Sequence, residues 1–107
     1  MAQIQIAVRN QDERSLTSIE GTAFVALLRS DGRLISEKTV SLRFADADFP
    51  DLSPGKYKAL VRHPLVEPQE ATWDVSIQTE TELIQIAFIY SEPERVLLRV
   101  RTRLARG

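Results

Sequence analysis

Apolar and polar residues alternate with a period of two along most of this chain, and that alternation constrains the fold more than any other feature. The clearest runs are QIQIAV at residues 3–8 and TWDVSIQ at residues 72–78. Successive side chains of a β-strand point to opposite faces, so such a run buries one face and exposes the other. TAFVALLR at residues 22–29 is apolar on both faces, which is typical of a central strand. The sequence therefore predicts an all-β protein.

Turn signals separate the alternating runs. Asp-Gly in SDGR at residues 30–33 favours a type I′ hairpin. The polar middle of residues 34–44 leaves open one bulged strand or two short ones, and residues 45–55 are predicted as a loop because two prolines interrupt them. A Greek-key β-sandwich of seven or eight short strands, immunoglobulin-like or prealbumin-like, is expected. The predicted strands cover residues 3–8, 22–29, 34–44, 56–63, 72–78, 82–90 and 95–104.

Length and composition restrict the chemistry. A chain of 107 residues fits one domain, predicted to span residues 1–107. The absence of Cys excludes disulfides, thiolate metal sites and Cys nucleophiles. No run approaches the roughly 18 apolar residues of a membrane span, and the start has neither the basic nor the apolar segment of a signal peptide. If Met1 is the natural start, a cytoplasmic location is expected.

Charge is distributed unevenly along the chain. Residues 95–107 hold five of the fourteen basic residues and none of the fifteen acidic ones, which leaves residues 1–94 with a net charge of −6. An acidic body followed by a basic C-terminal segment is the clearest charge pattern here. That segment, predicted as an additional arginine-rich strand at residues 95–105, is the first candidate for a functional surface.

The stretch DLSPGKY at residues 51–57 combines Ser, Gly and Lys in a way that can suggest a phosphate loop. A Walker loop, however, needs two glycines, a Ser or Thr after the Lys, and a following helix. Here Lys56 is followed by Tyr57 and an alternating run. We therefore interpret the stretch as a turn in which Pro54 presets φ, Gly55 takes a conformation that a side chain would resist, and Tyr57 points inward as a tyrosine corner.

This turn, preceded by a strand, a DG turn and a second strand, resembles the prealbumin-like and Cna-B-like sandwiches, which include the carboxypeptidase regulatory-like domains. The similar unit covers residues 20–90, about two thirds of the chain. The resemblance implies a structural, accessory or adhesion module rather than an enzyme, and fibronectin-type domains use a similar turn. The residues that carry it are Leu52, Pro54, Gly55 and Tyr57, followed by Ala59, Val61 and His63.

Two sets of residues are candidates for metal binding or catalysis. Asp46, Asp48 and Asp51 supply loop oxygens that Ca²⁺ could use, but Pro50 stands where an EF-hand loop needs a further ligand, so a solvated turn is favoured. His63 is the only His, and no partner for a general base is apparent, so a surface or capping role is expected. No catalytic residue, cofactor or metal is predicted.

Aromatic residues could instead form a sugar-binding platform. Trp73 is in phase with the apolar residues of its run, and Tyr90 is in phase with Ile86 and Phe88. Both are therefore predicted to lie in the core or at its rim.

Arg95, Arg99, Arg101 and Arg103 share one parity, so in a strand they would line one face at about 6.7 Å spacing. Three interpretations compete. The row could be a solvated face paired with neighbouring acids. It could instead bind an acidic protein or a second copy of this chain. Binding to nucleic acid is disfavoured by the overall charge of −1. The acids considered as partners are Glu80, Glu82, Glu92 and Glu94.

The sequence thus predicts a non-catalytic structural or protein-interaction sandwich whose surface includes these arginines and which could self-associate through its last strand. The alternative is a sandwich that binds carbohydrate or another polyanion.

Overall fold

The structure, a computed structural model, describes residues 2–16, 22–41, 46–92 and 94–106. Eight β-strands occupy most of these residues, and no helix is present among them, so none of the described segments could cross a membrane as a helix. The strands are β1 (Ala2–Asn10), β2 (Thr22–Arg29), β3 (Leu34–Ser41), β4 (Asp46–Leu52), β5 (Gly55–Arg62), β6 (Glu70–Ile77), β7 (Glu82–Tyr90) and β8 (Leu97–Arg106).

The strands form two sheets of four. Sheet I has the order β4–β1–β7–β8, and sheet II has the order β3–β2–β5–β6. All neighbouring strands are antiparallel except β1 and β7, which pair in parallel along residues 3–10 and 83–90. The two sheets enclose one apolar core, so the prediction of an all-β sandwich is confirmed.

The period-two pattern explains how the core is built. In β1, the side chains of Ile4, Ile6 and Val8 are at most 2% exposed, while the residues between them are half-buried. Strand β7 lies between β1 and β8 and is buried on both faces, as its continuous apolar run predicts. Its inward side chains are Ile84, Ile86, Phe88 and Tyr90.

Strand β4 corrects the prediction of a loop at residues 45–55. Ala47 and Phe49 are buried, Asp46 and Asp48 are exposed, and the segment pairs with β1. Pro50 is tolerated because β4 is an edge strand, which needs backbone donors on one side only. The prediction was wrong because it gave the prolines more weight than the alternation in DADF. The last part of the predicted strand 34–44, residues 42–44, lies outside the described residues.

The hairpin between β2 and β3 also differs from its prediction. A type I′ turn would require positive φ at both Asp31 and Gly32, but only Gly32 has it, at 91°. The N–H of Gly32 donates to the carbonyl of Arg29 at 2.8 Å, and the Asp31 carboxylate accepts from the N–H of Arg33 at 2.9 Å. The loop is therefore one residue longer than predicted, with glycine at its left-handed position.

The turn at residues 51–57 matches its prediction. Gly55 has a φ of 151°, which a side chain would resist, and Tyr57 is 2% exposed. The Tyr57 hydroxyl donates a hydrogen bond to the carbonyl of Ser53 at 2.5 Å. This tyrosine corner holds the start of β5 against the loop that follows β4.

Replacing Tyr57 with Phe should lower the free energy of unfolding by about 1 kcal/mol, because the Ser53 carbonyl loses its donor while the ring stays buried. Urea denaturation would measure this as a lower midpoint with an unchanged slope. Tyr90→Phe is the matched control, since the Tyr90 hydroxyl has no hydrogen-bond partner among the described residues. If both changes lower the free energy of unfolding equally, the hydrogen bond from Tyr57 to Ser53 does not contribute to stability.

Candidate interaction surface

Three arginines form a row on the outer face of sheet I. Arg99, Arg101 and Arg103 lie in β8 opposite Ile89, Ala87 and Gln85 of β7, whose side chains also point away from the core. The intervening residue Val100 lies opposite Phe88 and is half-buried against the core. We refer to Arg99, Arg101 and Arg103 as the arginine row.

Arg95 does not belong to the arginine row. It precedes β8 with a φ of 64°, its N–H donates to the carbonyl of Ser91, and its carbonyl accepts from the N–H of Glu67 at 2.9 Å. A bulge between Ile89 and Tyr90 shifts the register before β8 becomes regular. The predicted shared face assumed one unbroken strand, and this irregularity breaks it.

The arginine row is only partly neutralised within the chain. Arg101 forms an ion pair with Glu13, which lies in the loop after β1 and is not one of the acids predicted as partners. Arg99 and Arg103 are exposed and have no carboxylate within 4 Å in the part of the chain that the structure describes. The two ends of the row therefore carry charges that an external group could meet.

Glu82, one of the acids proposed as a partner for these arginines, is engaged elsewhere. Its carboxylate accepts hydrogen bonds from the backbone N–H groups of Gln78 and Thr79. It therefore caps the turn before β7 rather than lying over the arginine row.

A shallow cleft of about 280 Å³ lies beside the row on the same face of sheet I. The smallest residues that line the cleft are Ala7 of β1 and Ala87 of β7, which are register partners. Arg9 and Asp46 form an ion pair at 2.5 Å on one side, and Arg101 with Glu13 borders the other. Both of its arginines already have acidic partners.

The acidic residues considered for Ca²⁺ do not converge. Asp46 pairs with Arg9, Asp48 lies farther along β4 on the same face, and Asp51 has a left-handed φ of 61° near the end of the strand. Within the described residues, no group of three His, Cys, Asp or Glu side chains is arranged to hold a metal ion.

His63 has a capping role at the end of β5. It is 4% exposed, so the expectation of a surface position was wrong, whereas the expectation of a cap is confirmed. The Nδ1 atom of its imidazole accepts a hydrogen bond from the backbone N–H of Leu65 at 3.0 Å, and the backbone N–H of His63 donates to the Gln69 carbonyl. Burial lowers the pKa of His63, and the positive charge of Arg95 lowers it further. In the neutral imidazole the acceptor nitrogen, Nδ1, is already bound to the backbone of Leu65, and this bond stabilises the loop after β5.

An open seam separates the edge strands β6 and β8. The two sheets are in contact at the edge strands β3 and β4, which places the other two edge strands, β6 and β8, at the opposite side of the sandwich. Trp73 in β6 points inward as predicted, yet it is 40% exposed, and Leu104 on the inward side of β8 is 55% exposed. Trp73 therefore lies at the rim. Tyr90, at 0% exposure, lies in the core as predicted.

The outer edge of β8 is unpaired along most of its length. Only its beginning is engaged, where Val96 bridges Glu67 in parallel and the N–H of Leu97 donates to the Glu67 carbonyl at 2.8 Å. From Leu98 onward, no strand among the described residues pairs with this edge. Strand β8 thus carries the arginine row on its outer face, borders the seam with its inner face and has a free backbone edge.

No protein-family model matches the chain, and a search of curated proteins finds none that is similar to it.

Proposed function

We propose that this protein is a non-catalytic interaction module that binds a protein partner, either another protein or a second copy of itself, through β8. The carrying observation is that Arg99 and Arg103 are exposed beside an unpaired strand edge and have no internal carboxylate among the described residues. Positively charged groups at such an edge attract acidic surfaces and select against basic ones. The acidic body of the chain supplies opposite charge if the partner is a second copy.

The surroundings of His63 support a non-catalytic role. A general base needs a free nitrogen within reach of the proton that it removes. The Nδ1 atom of His63 is instead bound to backbone, and its side chain is buried beneath a loop. The cleft on sheet I is lined by arginines that already form ion pairs.

We also propose that the sandwich is of the prealbumin-like or Cna-B-like type, within which the carboxypeptidase regulatory-like domains fall. The support is the Leu-x-Pro-Gly-x-Tyr turn together with the bond from the Tyr57 hydroxyl to Ser53. Modules of this class act as spacers, accessory units or adhesion units, which agrees with an interaction role.

A second candidate is the binding of carbohydrate or another polyanion, favoured by the exposure of Trp73. Trp73, Lys58 and Asp74 line one shallow depression, which offers aromatic surface and polar groups that could hold a sugar ring. Binding to a glycan array or to heparin that survives moderate salt would favour this candidate, because surface charge alone is screened by salt.

Replacing Arg99, Arg101 and Arg103 together with Ser tests the interaction function. We expect the variant to keep its β-sheet circular dichroism and to lose at least about 90% of crosslinked partner capture from native lysate, or its self-association, because three neighbouring charges are removed. Capture is quantified by mass spectrometry, and self-association by sedimentation.

The matched control is Arg29, Arg33 and Lys56 replaced with Ser, since these three basic residues are also exposed and lie in or next to the strands of sheet II. The control should behave as the wild type. If the arginine-row variant retains both capture and oligomeric state, the proposed function is wrong and the row is a solvated face.

A further inference from the structure

Along most of its length the edge of β8 has only one of the features that usually prevent strand addition, its positive charge, which repels a second basic strand but attracts an acidic one. Edge strands are commonly protected by charged side chains, by proline, by an inward-pointing charge or by a covering loop. From Leu98 to Leu104, β8 contains no proline, and its arginines point to the outer face. The bulge between Ile89 and Tyr90, which leaves Leu98 of β8 without a register partner, and the bridge from Val96 to Glu67 protect only the beginning of the strand.

The opposite edge of sheet I differs in this respect. In β4, Pro50 removes one backbone donor, and the Lys38 ammonium donates to the carbonyl of Asp48 and lies 5.3 Å from the centre of the Phe49 ring. Lysine from β3 thus occupies the edge that another strand would need. Among the described residues, the β8 edge of sheet I is therefore left open to an added strand, whereas the β4 edge is not.

We propose that β8 binds an extended segment of another protein in which acidic and apolar residues alternate, and that this segment adds to sheet I as a fifth strand. This inference rests on the proposed function above and specifies the partner. Such addition uses backbone hydrogen bonds for affinity and alternate side chains for specificity.

The register of β8 determines the acidic positions of the segment. Side chains of an added strand on the outer face would lie opposite Arg99, Arg101 and Arg103. Because Arg101 already pairs with Glu13, the remaining charges are at the two ends of the row. The segment therefore needs two acidic residues four positions apart, with a small neutral residue midway between them.

The seam determines the apolar positions. Inward side chains of the added strand would lie beside Val100, Thr102 and Leu104. Thr102 and Leu104 are exposed although they point inward, which shows that this end of the seam is unfilled. Trp73 points inward from β6, the edge strand of sheet II on the same side of the sandwich as β8, and its ring is 40% exposed. Apolar side chains of the segment would cover it.

A second copy of this chain fits the edge less well. Two β8 strands related by a two-fold axis pair antiparallel, so arginine would lie opposite arginine on the outer face, and like charges directly opposite are destabilising. The DADF alternation in β4 has the right chemistry, with Asp46 and Asp48 on the outer face, but its edge is occupied by Lys38. An acidic strand from a different protein remains the best match.

The test uses the blocked seven-residue peptide VEVTVEV, which carries two Glu four positions apart on one face and Val on the other. Trp73 is the only tryptophan of the protein and borders the seam, so its fluorescence reports occupancy. We expect a saturable blue shift as the peptide covers the ring. VKVTVKV and VEVTEVV, which has the same composition but places its acids on opposite faces, should produce no shift.

The variant Arg99→Ser/Arg103→Ser should weaken peptide binding about tenfold, which corresponds to about 1.4 kcal/mol shared by two ion pairs. The matched control Arg29→Ser/Arg33→Ser should leave binding unchanged. Three results would overturn strand addition: no shift with VEVTVEV, an equal shift with VEVTEVV or heparin, or a wild-type dimer that dissociates in the Arg99/Arg103 variant. If lysate capture depends on the arginine row while VEVTVEV fails to bind, the interaction function stands and strand addition falls.

Discussion

Replacing Phe88 with Ala is expected to lower the free energy of unfolding by about 3–5 kcal/mol. Phe88 is 0% exposed in β7, where its register partners are Val8 of β1 and Val100 of β8. Its ring therefore lies at the centre of the inner face of sheet I. Truncation to Ala leaves a cavity there, and a neighbouring side chain could fill this cavity only if a paired strand moved. A domain of this size has about 5–15 kcal/mol of stability, so the change removes a large part of it. Urea denaturation followed by far-UV circular dichroism measures the loss.

Trp73→Ala is the matched comparison, because it also truncates an inward aromatic side chain. We expect it to cost less than half as much as Phe88→Ala, since the Trp73 ring is 40% exposed and already partly hydrated. Equal costs for the two changes would show that the ring is buried in solution. The seam would then be closed, and strand addition would lose its apolar side.

Most strands could be predicted because the alternation of apolar and polar residues within a single run is enough to recognise a strand. In β1, β6 and β7 the buried face is evident from the sequence, and burial in the structure follows it, with Trp73 as the exception. Trp73 is exposed because β6 is an edge strand and β8 does not close over it. Which strand lies at an edge depends on pairing between distant segments, and alternation within one run does not contain that information.

The same distinction applies to the arginine row. Parity alone predicted that Arg99, Arg101 and Arg103 share a face, whereas the position of Arg95 depends on a bulge and on a bridge to Glu67. The ion pair from Glu13 to Arg101 arises because the loop after β1 reaches across sheet I. The parallel pairing of β1 with β7 and the edge position of β8 result from the chain topology.

Tyr90 provides the second large effect, one that depends on pH. Its side chain is 0% exposed, its hydroxyl has no partner among the described residues, and burial raises its pKa to about 12. In the unfolded chain a tyrosine ionises near pH 10. Above that pH the unfolded state binds fewer protons than the folded state, so stability that is complete below pH 10 is lost as the pH rises towards 12.

Tyr90→Phe removes both the ionisation and a buried hydroxyl without an acceptor. We expect the variant to be more stable than the wild type by about 1–3 kcal/mol at pH 8, and this advantage to grow by about 1.4 kcal/mol at pH 11. Urea titrations at the two pH values measure the difference, and comparison with the wild type cancels the titration of the other groups. Tyr57→Phe is the control, since it retains Tyr90 and should keep the wild-type loss at high pH. If Tyr90→Phe instead destabilises the protein at pH 8, the hydroxyl has an acceptor in solution, and its burial does not limit alkaline stability.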